Sequence, residues 1–105
     1  MRYLVTLNVP VEAGVRIEQQ SGGPGEVFSK IVETFKPESF YCGLDRRSIY
    51  LVLNADNPTR LAEFMITAST MTGVYPEFIP VAPANEMQPI VNQAMNTLNK
   101  FVPKR

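Results

Sequence analysis

The sequence predicts a single α+β domain of order β-α-β-β-α-β followed by a separate C-terminal helix. Three observations support this. Segments rich in β-branched and aromatic residues alternate with segments of helical periodicity, Gly and Pro stand between them, and 105 residues at 45% hydrophobic content suffice for one modest core.

Tyr3-Leu-Val-Thr-Leu-Asn-Val9 stops at Pro10 and reads as the first strand. Residues 12–20 fit a short helix. Ser21-Gly-Gly-Pro-Gly25 then combines the strongest chain breakers and predicts a mobile loop, a flexible lid or plain linker. Val27, Phe28, Ile31, Val32 and Phe35 recur at helical spacing, with Glu26 in the first turn, Lys36 in the last and Pro37 just beyond. Residues 39–42 and 48–53 are two strands whose connection, Gly43-Leu-Asp-Arg-Arg47, is short enough for an antiparallel hairpin. Asn57 before Pro58 marks a helix start, Leu61, Phe64, Met65, Ala68 and Met71 share its apolar face, and Gly73 ends it. Residues 74–81 form a fourth strand whose two prolines suit an edge.

This order fits the split βαβ, ferredoxin-like arrangement, with two helices on one face of a four-stranded antiparallel sheet. The other face is left bare, yet Tyr50 and Val52 flank Leu51, and Leu4 sits between Tyr3 and Val5, so both faces are apolar. Sheet-to-sheet dimerisation would cover the second face. Residues 1–84 form the α+β domain and residues 85–105 the helical extension.

Composition narrows the chemistry. Ten Lys+Arg balance ten Asp+Glu and form no basic stripe, which argues against nucleic acid. With no His and one Cys, His-assisted nucleophiles, His-ligated metals, CxxC redox pairs and an internal disulfide are excluded. No cofactor and no metal are expected. Cys42 reads as a buried structural thiol. Asp45-Arg46-Arg47 reads as a solvated hairpin with one Arg in an ion pair. The glycines at 22, 23 and 25 lack both the Lys-Ser/Thr ending of a P-loop and a preceding strand. The N-terminal apolar run is broken by Asn8, Pro10 and Glu12, and no stretch approaches the roughly 18 apolar residues of a membrane span. The expectation is a cytoplasmic protein without membrane contact.

The segments Met1-Arg-Tyr-Leu-Val-Thr, Lys36-Pro-Glu-Ser-Phe-Tyr41, Arg47-Ser-Ile-Tyr-Leu-Val52, Ala55-Asp-Asn-Pro58 and Glu77-Phe-Ile-Pro-Val81 carry a resemblance. In order and spacing over residues 1–84 the chain resembles small uncharacterised members of the dimeric α+β barrel superfamily. That resemblance implies a homodimer. Relatives of this architecture include cofactor-free monooxygenases, muconolactone-isomerase-like enzymes, haem-processing enzymes and ligand-sensing domains. The haem-processing and His–Asp types need a His that this chain lacks.

Strand parity gives one candidate constellation. If Tyr3, Val5, Leu7 and Val9 face the helices, Thr6 and Asn8 face the second side with Tyr50 and Asn54, and Tyr75 and Glu77 join them. An apolar surface with a few convergent polar groups suits a small apolar or aromatic metabolite. The same groups would also serve as hydrogen-bonding partners across a dimer interface. Three functions follow: a homo-oligomeric small-molecule-binding protein, with its ligand between sheet and helices or at the sheet-sheet seam; a cofactor-free oxygenase or isomerase with Glu77 as base and Tyr50 or Asn8 orienting substrate; or a structural oligomerisation module.

The third draws on the tail. Met87, Val91, Ala94, Leu98 and Phe101 alternate spacings of four and three, opposite the uncharged Asn92, Gln93, Asn96, Thr97 and Asn99. Pro89 lies in the first turn and Pro103 ends the helix before Lys104-Arg105, two charges that fall short of a polybasic patch. The stripe is expected to dock onto its own domain or onto a partner copy.

Overall fold

The computed structural model describes residues 1–102, so Pro103 and the basic end after it lie outside the described residues. The elements run β1 (Arg2–Asn8), α1 (Val11–Gln19), α2 (Gly23–Phe35), β2 (Ser39–Cys42), β3 (Ser48–Asn54), α3 (Pro58–Thr72), β4 (Glu77–Val81), a 3-10 turn (Ala84–Glu86) and α4 (Met87–Phe101). The four strands make one sheet of order β2-β3-β1-β4 with every neighbouring pair antiparallel. Among the described residues it is a mixed fold, one antiparallel sheet with four α-helices.

The β2–β3 hairpin closes through Gly43 N–H donating to Ser48 O at 2.8 Å and Ser48 N–H to Arg46 O at 2.9 Å. On α3, the Asn57 side chain accepts from Arg60 N–H at 3.1 Å, Pro58 takes the first turn, and Gly73 closes the helix at φ 80°. β4 is an edge strand, which accommodates Pro80, a residue without a ladder donor.

Three expectations are corrected. The glycine segment is no extended loop: Gly22 at φ 89° turns the chain and Gly23-Pro24-Gly25 already belongs to α2. Proline in a helix's first turn forfeits no hydrogen bond, so the segment separates α1 from α2 by a tight turn and its later residues already start α2. The fourth strand is shorter than residues 74–81, beginning at Glu77, because Pro76 precedes the paired stretch; Tyr75 therefore lies in the loop before it. Cys42, expected to be buried, is exposed near the end of the short edge strand β2.

The core forms on one face of the sheet. Val5, Leu7, Ile49, Leu51 and Leu53 point there and are buried with Phe35 of α2 and Phe64 and Ala68 of α3. Phe64 stands edge-on to Phe35 at 5.0 Å between centroids and to Phe78 at 6.2 Å, and Phe78 continues to Tyr3 at 6.4 Å. Such edge-to-face pairs add stabilisation beyond the area they bury. Phe64→Ala is expected to cost about 3–5 kcal/mol, the usual range for a buried aromatic ring. Urea unfolding measures this; a loss below about 1 kcal/mol contradicts a central packing role.

Candidate functional site

Two surfaces have the chemistry to receive a ligand, one on each side of the sheet. The first is a cleft in the helical layer. At one end α3 is clamped to α2: the Arg60 guanidinium donates to Thr34 O at 2.6 Å and lies 5.0 Å from the Phe35 ring centroid. Toward Val27 on α2 and Met71 on α3 an inner cavity of ≈ 60 Å³ reaches down to Leu7 and Ile49. An outer groove of ≈ 630 Å³ shares Val27, Ile31, Phe35, Thr67 and Met71 with it, and carries Lys30 and Glu63.

The inner cleft offers little for a polar ligand to bind. The Thr72 hydroxyl is already engaged, donating to Ala68 O at 2.7 Å and accepting from Val74 N–H at 3.3 Å. The other lining groups are aliphatic or aromatic, apart from Thr67. The inner volume is small for any organic molecule. Together with the groove it reaches the range of roughly 300–1,000 Å³ typical of ligand pockets.

The second surface is the uncovered sheet face. Register sets Tyr41, Tyr50, Thr6 and Glu77 in one row across the four strands, with Ser39, Val52, Leu4 and Ile79 in the next. Tyr50 and Glu77 flank Thr6 on either side, about 10 Å apart at the usual interstrand spacing. Thr6 is half-buried, while Tyr50, Asn8, Asn54 and Glu77 are exposed. Asn8 and Asn54 are engaged locally: Asn8 Oδ1 accepts from Ser48 Oγ at 2.6 Å, and Asn54 Oδ1 from the N-terminal amine at 3.1 Å. Tyr75, in the loop, is 75% exposed and shares no row with the others.

Arg46 and Arg47 do not form a free anion-binding pair. Arg46 bonds Asp45 at 3.1 Å, and Arg47 makes a two-pronged bridge to Glu18 of α1 at 3.0 and 3.2 Å. The stem of Arg47 lies against Gly14, where an added Cβ would collide with Arg47 Cδ. The hydrogen bonds from Arg47 hold the Glu18 carboxyl below its ordinary value, and the same contact raises Arg47. Sequence reasoning anticipated one ion pair in the hairpin; the partner on α1 is remote in sequence and carries no local signal.

The comparison with family models, curated proteins and solved structures found no match. Among the described residues, no helix is long and apolar enough to cross a membrane and no group of three or more His, Cys, Asp or Glu is placed to hold a metal ion.

A Glu whose folded value is depressed contributes stability above its unfolded value of 4.5, lost as pH falls through the lower folded value. Glu18→Gln should therefore be less stable than the parent at pH 7 and equal to it at acid pH below both values. Urea midpoints at the two pH values check this; a difference that persists in acid contradicts an electrostatic origin. The pair is solvent-exposed, so the effect is small.

Proposed function

We propose that this chain is a homo-oligomeric binding protein for a small apolar or aromatic molecule, held in the cleft between α2 and α3 above β1 and β3. The observation that carries this reading is the cleft itself. Its inner walls are apolar, its one buried hydroxyl is already satisfied, and its outer groove widens toward polar side chains. Recognition would come from shape and apolar contact; Lys30 and Glu63 at the mouth are each in an exposed ion pair, with Glu26 at 3.5 Å and Arg60 at 3.9 Å.

The fold reading that goes with it is ferredoxin-like. Read from the β4 edge the strand order is β4-β1-β3-β2, and the core helices supply Phe35 and Phe64 to a single face. Self-association through the other face, as in a dimeric α+β barrel, is supported by the apolar row of half-buried Val52 and Leu4 with exposed Ile79 there.

A second reading rests on the row through Tyr50, Thr6 and Glu77. A cofactor-free oxygenase or isomerase would use Glu77 as general base and Tyr50, or Asn8 one row away, to orient an enolisable substrate. That site would be enclosed only when a second copy covers the face.

Backbone amide shifts on titration with toluene distinguish the readings. The cleft reading predicts shifts at Ile31, Thr67 and Met71 and a binding constant weakened at least about tenfold (about 1.4 kcal/mol) in Ala68→Leu, which adds bulk to the α3 wall of the cavity, with Tyr50→Ala unaffected. Shifts centred on Thr6 and Tyr50 favour the sheet-face reading, and no saturable shift overturns the cleft.

A further inference from the structure

α4 carries an apolar stripe, yet among the described residues none of its side chains is buried. Among the described residues its packed neighbour is the 3-10 turn that precedes it, and no α4 residue is buried. The chain is consequently long and thin, 63 × 28 × 23 Å, with a radius of gyration of 17.9 Å where a compact chain of this length would have about 13 Å. The expected docking of this helix onto its own domain is thus absent. Isolated helices shorter than about 12–15 residues are marginal in water even when rich in alanine, and α4 stands at that limit. α4 carries three Asn and a Thr within its 15 residues, so it needs a partner surface to hold its shape.

We infer that α4 is an arm that packs on a second copy of this chain, which deepens the self-association proposed above. Met87, Ile90, Val91, Met95, Leu98 and Phe101 are all exposed, at least 42% each, along one broad stripe. Ile90 and Met95 widen it beyond the two positions per heptad of a simple coiled-coil seam. Lys100 is the only charged side chain within α4, so no pattern of opposite charges selects a foreign partner.

The arm is rooted beside the uncovered face. Arg2, whose side chain lies on that face at the end of β1, bonds Glu38 at 2.8 Å and approaches Glu86, the residue before α4, at 3.6 Å. A copy meeting that face therefore lies within reach of the arm. Area supports the same conclusion. Four strands about 4.8 Å apart and five residues long give roughly 300 Å² of flat face, so two stacked faces bury roughly 600 Å². Stable interfaces bury about 1,200–2,000 Å². Each arm is about 22 Å long and 10 Å wide, and two arms with the surfaces beneath them add roughly 900 Å², bringing the total into that range.

The experiment compares three full-length chains by native mass spectrometry and hydrogen exchange. The parent is expected to be dimeric, with slow exchange at residues 87–101 that speeds up on dilution in step with dissociation. Val91→Glu with Leu98→Glu, on the stripe, should weaken the dimer at least tenfold. Asn92→Glu with Asn99→Glu, the same charge on the polar side, should leave it intact. Equal dimer affinity in all three, α4 exchange independent of concentration, or a parent that is monomeric throughout each overturns the arm. The cleft reading stands or falls separately, since its amide shifts are read within one chain.

Discussion

The ring of Phe64 lies edge-on to Phe35 of α2 and to Phe78 of β4, and through these two contacts one side chain fixes how α3 sits against both its neighbouring helix and the edge of the sheet. Arg60, one turn earlier on α3, adds a hydrogen bond and a ring contact to the C-terminal end of α2. The helices are thereby pinned at one end. From that joint the space between them runs toward Val27 and Met71, and its floor is the buried row of Leu7 and Ile49.

The residues that made the fold legible are those with local signals. Asn57-Pro58 and Gly73 mark the ends of α3, and the period-two runs of β1 and β3 place Val5, Leu7, Leu51 and Leu53 on one face, as parity requires. The glycine segment misled because Gly22 and Gly23, both at positive φ, complete the turn within two residues, while Pro24 and Gly25 are tolerated in a first helical turn. The buried-thiol expectation for Cys42 failed because a four-residue edge strand leaves its last residue in solvent. The register puts Thr6, Asn8, Tyr50, Asn54 and Glu77 at positions of one face, and Tyr75 falls outside the shortened strand. The cleft was anticipated only as a space between sheet and helices. Its walls depend on how far two helices remote in sequence stand apart, which periodicity does not encode.

The two sides of the sheet pose opposite physical problems. On the covered side, apolar surface is buried within the chain and a small space is left over. On the other side, half-buried Val52 and Leu4 lie in a row with exposed Ile79, and no α4 residue is buried among the described residues. Exposed apolar area of this kind is costly for a lone chain, since each buried square ångström is worth roughly 25 cal/mol. In the self-association proposed above, a second copy would cover both at once, because Arg2 on that face lies 3.6 Å from Glu86 at the root of α4.

Small-angle X-ray scattering on an absolute scale tests this account most directly. The account predicts a forward intensity equal to twice the mass of one chain and a pair-distance distribution without the long, sparse tail of a free arm. A single-chain mass with a radius of gyration near 17.9 Å would mean that the arm and the sheet face stand uncovered in solution, and would contradict it.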